Sequence, residues 1–89
     1  MRVHVVVRGR VQGVGFRWFV QQSASSLDLA GWVRNTPDGS VEVEAEGNPA
    51  EVQRLRALLD DGPSGARVES IEEIAIGSEQ LERPFRIKR

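Results

Sequence analysis

The feature that most constrains this chain is a change of hydrophobic period near its N-terminus. Val3, Val5 and Val7 alternate with Arg2, His4, Val6 and Arg8, the period of a β-branched strand with a buried face, which places a strand over about residues 2 to 9. From Phe16 the period becomes helical: Phe16, Val20, Ala24 and Leu27 fall on one stripe, and a helix is expected over about residues 16 to 28. Between them, Gly9-Arg10-Val11-Gln12-Gly13-Val14-Gly15 holds three glycines in seven residues, which breaks any regular element. The chain therefore begins as a strand–loop–helix unit, and both apolar faces must find one common core.

The rest of the chain completes that unit. Gly31-Trp32-Val33-Arg34-Asn35 reads as a second strand, and Thr36-Pro37-Asp38-Gly39 as a turn in which Pro fixes φ, Asp bonds its own backbone and Gly accepts φ > 0. Val41, Val43 and Ala45 then alternate with Glu42, Glu44 and Glu46, giving a third strand whose acidic row is expected to be a solvated sheet face. Asn48-Pro49-Ala50-Glu51 carries a cap residue, a first-turn Pro and an acid three residues after the cap. It opens a second helix with Val52, Leu55 and Leu59 inward, which Gly62-Pro63 ends. A fourth strand lies within residues 66–76, its alternation slipping between Val68 and Ile71 as a bulge would make it slip, and Phe85 and Ile87 alternate with Arg86 and Lys88 in a short last strand. Two helices with single apolar stripes can cover one face of a four-stranded sheet, and right-handed crossovers lead to an α+β, ferredoxin-like split βαβ sandwich with strand order 4-1-3-2.

Composition narrows the chemistry. Eighty-nine residues suit one domain, residues 1–89, with one modest core that buries about 60–65% of the unfolded surface. The absence of cysteine removes disulfides, thiolate chemistry and cysteine-based zinc sites, and one histidine, His4, leaves no His metal site and no Ser/His/Asp triad; no metal or cofactor is expected. A net charge of −1 argues against a general nucleic-acid or membrane-surface role. Without a spanning apolar run or a signal-peptide core, the expectation is a soluble cytoplasmic monomer.

The glycine loop is the first candidate site. It joins a strand to a helix N-terminus, where unpaired N–H groups and the helix dipole favour an anion. Its spacing, G-x-x-x-G-x-G, is neither the dinucleotide fingerprint nor a P-loop, so it reads either as an amide nest for a small phosphate or as a plain βα connection. Arg17 stands in the first helical turn, from which a side chain leans back over the loop, and a planar guanidinium beside an amide nest makes a phosphate clamp. A solvated Arg is the alternative, though a cation is the wrong charge at a helix N-terminus unless an anion sits there too. Asn35 ends the second strand, which runs parallel to the first, so it reaches the same sheet edge as the loop with strand three between, at about 5 Å per strand. Its amide could donate to phosphate and accept from a water, or simply flank the turn.

These residues carry a family resemblance. Val7-Arg8-Gly9-Arg10-Val11-Gln12-Gly13-Val14-Gly15-Phe16-Arg17 resembles the first signature of the acylphosphatase family, and Gly31-Trp32-Val33-Arg34-Asn35 continuing through Gly39, Val41 and Gly47 resembles the second; neither departs from its pattern. The resemblance implies a metal-free hydrolase that splits an acyl phosphate into carboxylate and inorganic phosphate. It implies that Arg17 binds phosphate, that Asn35 orients the attacking water, and that the backbone of Val11, Gln12, Gly13, Val14, Gly15, Phe16 and Arg17 forms the phosphate cradle.

That chemistry suits so sparse a set of groups. A carboxylate with a pKa near ~4 leaves without a general acid, so positioning and charge stabilisation can suffice. Neither motif offers a base, which points to a phosphate oxygen of the substrate as proton acceptor. His4, mid-strand, reads as a half-buried strand residue rather than a base. Trp18 and Trp32 read as packing residues, with Trp18 able to border the pocket. Nothing outside the cradle reads as an acyl-group pocket. The rival readings are a non-catalytic anion-sensing module, an RNA-binding sheet, which the acidic third strand disfavours, and one domain of a larger carbamoyl-transferring protein. The chain's own start and full set of elements favour a free-standing enzyme.

Overall fold

The valine alternation forms a long central strand, β1 (Arg2–Arg10), which pairs on both sides. The structure, a computed structural model, describes residues 1–89. After β1 come α1 (Phe16–Ser26), β2 (Ala30–Asn35), β3 (Val41–Glu46), α2 (Pro49–Asp61), β4 (Arg67–Glu73) and β5 (Arg86–Ile87). The sheet order is β4-β1-β3-β2-β5, with β1, β3, β2 and β4 in antiparallel pairs and β5 parallel to β2. This is the expected 4-1-3-2 order of the ferredoxin-like sandwich, extended by a fifth strand at the β2 edge. Phe16, Val20 and Ala24 from α1 and Val52, Leu55 and Leu59 from α2 share one core cluster with Val3, Val5, Val7, Val33, Val41, Val43 and Ala45 of the sheet.

Several boundaries differ from expectation. Strand β1 runs one residue past its expected end, through Arg10. Helix α1 ends at Ser26 because Asp28 turns left-handed, with φ 56°, while the Leu27 and Leu29 N–H groups close back on Ser23 and Ala24. The slip in the fourth strand is a bulge: Arg8 pairs with Ser70 and Gly9 with Val68, leaving Glu69 as the extra residue.

The acidic row is not solvated. Glu42 and Glu44 are 9% and 1% exposed, and only Glu46 faces water. The segment following β4 crosses that face. Ile74 N–H donates to the His4 carbonyl, Gly77 N–H to Glu44 Oε2 at 2.9 Å, Arg2 to the Glu79 carbonyl, and Gly31 N–H to the Glu82 carbonyl. Ala30, Trp32 and Leu81 make a small second core beneath it. Burial of the two carboxylates is sustained by partners. Arg2 Nε donates to Glu44 at 3.0 Å, Arg34 Nε donates to Glu42 at 2.8 Å, and His4 Nε2 meets Glu42 at 2.5 Å. His4 Nδ1 lies 2.7 Å from the Ala75 carbonyl, so His4 is a structural pin, half-buried as expected.

Candidate active site

Between β1 and α1 the chain turns through Val11–Gly15. Val11 is buried and anchors the loop, while Gly13 and Gly15 have φ of 75° and 76°. A Cβ at either would meet nothing within 4 Å, so the requirement for glycine is the left-handed backbone and not space. Gly15 is also the cap residue of α1, and it offers no side-chain bond to the helix N–H groups. No acid occupies the first turn. The helix therefore presents unsatisfied donors and its positive dipole end outward.

Arg17 lies in that first turn, half-buried, with no ion pair or hydrogen bond to the chain. Asn35 closes β2 opposite Val41. It shares the helix-facing side with buried Val33 two residues earlier. Its Oδ1 is buried with no hydrogen-bond partner, a state that favours capture of a donor from water or ligand. Arg17 and Asn35 line one cleft of about 220 Å³ with Val11, Gly13, Gly15 and Phe16. The lining contains two arginines and no Asp or Glu, which suits an anion.

Gln12 and Val14 do not line the cleft: Val14 packs against the core, and the Gln12 side chain points elsewhere. Its Nε2 donates to the carbonyls of Thr36 at 2.9 Å and Ser40 at 2.8 Å, tying the loop to the turn that follows Asn35. That turn is fixed from within. Asp38 accepts from the Ser40 hydroxyl at 2.6 Å, from the Ser40 N–H at 3.0 Å, from the Thr36 hydroxyl, and from Arg8 at 3.1 Å. The Ser40 and Thr36 hydroxyls, then the Ser40 N–H and Arg8, hold the Asp38 carboxyl well below the usual carboxylate range.

Three further cleft residues come from elsewhere. Trp18 is 63% exposed at the rim. Ile87 and Arg89 arrive from the C-terminal strand, with Ile87 in register beside Val33 and Lys88 N–H donating to the Val33 carbonyl at 2.8 Å. Continuing that register sets Arg89 beside Asn35. Sequence reading missed Ile87 and Arg89. The alternation of the last strand was visible, but its pairing partner was not.

Comparisons with known proteins agree with one another. A family model described as Acylphosphatase matches residues 3–87. An acylphosphatase of Chlorobaculum tepidum is 50% identical over 86 residues, covering 97% of this chain and 94% of that protein. The crystal structure of acylphosphatase from Bacillus subtilis superposes with a TM-score of 0.90 at 39% identity, over 99% of this chain and 98% of that one. The crystal structure of HypF from T. kodakarensis matches at a TM-score of 0.85 and 34% identity, over 100% of this chain but 12% of that one.

Proposed function

This chain belongs to the acylphosphatase family, hydrolases whose substrate is an acyl phosphate and whose product is inorganic phosphate, and from that premise we propose how its own residues perform the reaction. The observation that carries the proposal is the convergence of Arg17, Asn35 and the Gly13–Gly15 loop on one cleft without an acid. The backbone N–H groups of residues 11–17 and the Arg17 guanidinium hold the phosphoryl oxygens. Asn35 orients a water against phosphorus. As the water oxygen bonds to phosphorus, the bond from phosphorus to the acyl oxygen breaks and its electron pair leaves on the carboxylate. That group has a conjugate-acid pKa near ~4 and needs no proton. The water's proton passes to a phosphate oxygen, because the lining offers no Asp, Glu or His side chain to take it. Catalysis rests on positioning and on charge fixed in advance around the phosphoryl group.

Every residue of this scheme lies in one chain, which supports action as a monomer built on a single domain over residues 1–89. A cytoplasmic location agrees with a cysteine-free sequence, and no helix is long and apolar enough to cross a membrane.

Hydrolysis of a small acyl phosphate tests the assignment. Arg17→Gln is expected to lose both turnover and inhibition by inorganic phosphate. Asn35→Ala is expected to keep phosphate inhibition while kcat falls by roughly 10²-fold or more, the scale of a lost positioning group. An Arg17→Gln enzyme that still binds phosphate tightly overturns the clamp, and an unchanged kcat in Asn35→Ala overturns the water-orienting role.

A further inference from the structure

The two oxygens of the Asp38 carboxylate have separate partners. Oδ1 accepts from the Ser40 N–H at 3.0 Å, from the Ser40 hydroxyl at 2.6 Å and from the Thr36 hydroxyl, all inside the turn that follows Asn35. Oδ2 accepts from outside the turn, from Arg8 Nη1 at 3.1 Å. The same guanidinium reaches the other way through Nη2, which donates to Glu72 of β4 at 3.2 Å. One side chain of β1 thus fastens the turn to the strand pair on its far side. The link joins the two sides of the cleft. Just beyond Arg8, β1 ends and the chain enters the Val11–Gly15 loop; just before Asp38, β2 ends at Asn35. The Asn35 amide oxygen has no partner in the chain, so its direction depends on the backbone that carries it. Gln12 already ties the turn to the loop at one point. A second attachment, on β1 itself, removes the pivot that a single one leaves.

We propose that Arg8 and Asp38 are positioning residues for Asn35: Oδ1 of Asp38 shapes the turn, and the pairing of Oδ2 with Arg8 sets the Asn35 amide at its working distance from the Val11–Gly15 loop. Neither side chain lines the cleft, so both act on the orientation of the attacking water and not on the grip on phosphate. The inference rests on the water-orienting role of Asn35. The link is also sensitive to salt, because the Arg8 and Asp38 side chains are 46% and 57% exposed.

The division of labour between the two oxygens supplies the test. Asp38→Asn keeps an acceptor oxygen for the turn but sets an NH2 group against Arg8, Arg8→Met removes the link from its other end, and Asp38→Ala removes the turn bonds as well. Hydrolysis of benzoyl phosphate is followed at saturation, with kcat counted per inorganic-phosphate site titrated by calorimetry. Asp38→Asn and Arg8→Met are each expected to lower kcat roughly threefold, the scale of an exposed ion pair, while the inhibition constant of phosphate moves little. Asp38→Ala should lower kcat roughly tenfold. The double variant, Arg8→Met with Asp38→Asn, should be no slower than either single one, since both remove one interaction. In about 0.5 M NaCl the wild-type kcat should fall toward that of Asp38→Asn, which salt should leave in place. In an Asn35→Ala background neither Asp38→Asn nor Arg8→Met should slow the reaction further, a result that a general loss of structure would not give. The same fall in both backgrounds, a loss of phosphate inhibition in step with kcat, or a wild-type kcat in Arg8→Met and Asp38→Asn overturns the positioning role. An Asn35→Ala enzyme as fast as wild type instead overturns the water-orienting reading on which the proposal rests.

Discussion

The side-chain amide of Gln12 spans the gap between the Val11–Gly15 loop and the turn after Asn35, and its two donated hydrogen bonds, at 2.9 and 2.8 Å, tie the two sides of the cleft together. The Gln12 side chain thus points away from the cleft that its backbone helps to shape. Replacing it with Met keeps the length and removes both donors, leaving to the Thr36 and Ser40 carbonyls the bonds they accept within the turn, from the Gly39 and Thr36 N–H groups. Gln12→Met is expected to cost about 1–3 kcal/mol in urea unfolding. It should lower kcat roughly tenfold or more while the inhibition constant of phosphate moves little, because the loop survives but its distance from Asn35 is no longer fixed. A mutant that loses phosphate affinity and keeps kcat would give the Gln12 side chain a direct part in holding phosphate instead. The placement of Arg17 and Asn35 was legible in the sequence because each follows from a local rule, the first turn of a helix and the last residue of a strand. The role of the Gln12 amide was not, since its partners lie 24 and 28 residues away in a turn whose carbonyl directions no period encodes.

Among the elements, the pairing of β1 with β4 shows both what alternation reveals and what it hides. The slip between Val68 and Ile71 announced the bulge, but not that Gly9, at the expected end of the first strand, is the residue opposite it. A Cβ on Gly9 would lie 2.1 Å from the Arg67 carbonyl oxygen, and φ there is 130°. Backbone must move to admit any side chain, so Gly9→Ala is expected to destabilise by about 2–4 kcal/mol through strain and overpacking. Urea unfolding checks the magnitude, and a change below about 0.5 kcal/mol, within the range of ordinary surface substitutions, would show that the bulge relaxes freely. The β5 strand marks the opposite limit of sequence reading. With two residues paired parallel to β2, it has no hairpin turn and no long alternation to declare its neighbour, yet it delivers Ile87 and Arg89 to the cleft. The acidic row of β3 was misread for a related reason. Period two states that Glu42, Glu44 and Glu46 share a face, but not that the segment after β4 folds over the first two.

At the scale of the whole molecule, that buried face makes stability depend on acid. Burial pushes the Glu42 carboxyl up, but hydrogen bonds from His4 and Arg34, with the charge of Arg34 behind them, outweigh it and leave the group below its ordinary value of 4.5. A carboxyl with a depressed folded pKa binds protons more readily in the unfolded chain. Its contribution is therefore complete above the ordinary value and is lost as pH falls through the folded one. Asp38 obeys the same sign in a more acidic window, but it is exposed, so salt screens its pairing with Arg8. Of the Glu42 partners, His4 lies under the segment that closes the sheet, where screening is weak, while Arg34 keeps 42% of its side chain exposed. Urea unfolding of the wild type should weaken steadily from about pH 5 to about pH 3. Glu42→Gln should be less stable than wild type at pH 7 by about 1–3 kcal/mol, because it gives up charged hydrogen bonds in a buried setting. Below pH 4.5 the two curves should converge, since protonation removes from the wild type what the substitution has already taken. In about 1 M NaCl the His4 share of the Glu42 difference should persist, whereas the Arg8 share of any difference made by Asp38→Asn should shrink. Parallel curves across the acid range would mean that Glu42 titrates alike in the folded and unfolded chains, and that the buried face is held by packing around Trp32 and Leu81 rather than by its carboxylates.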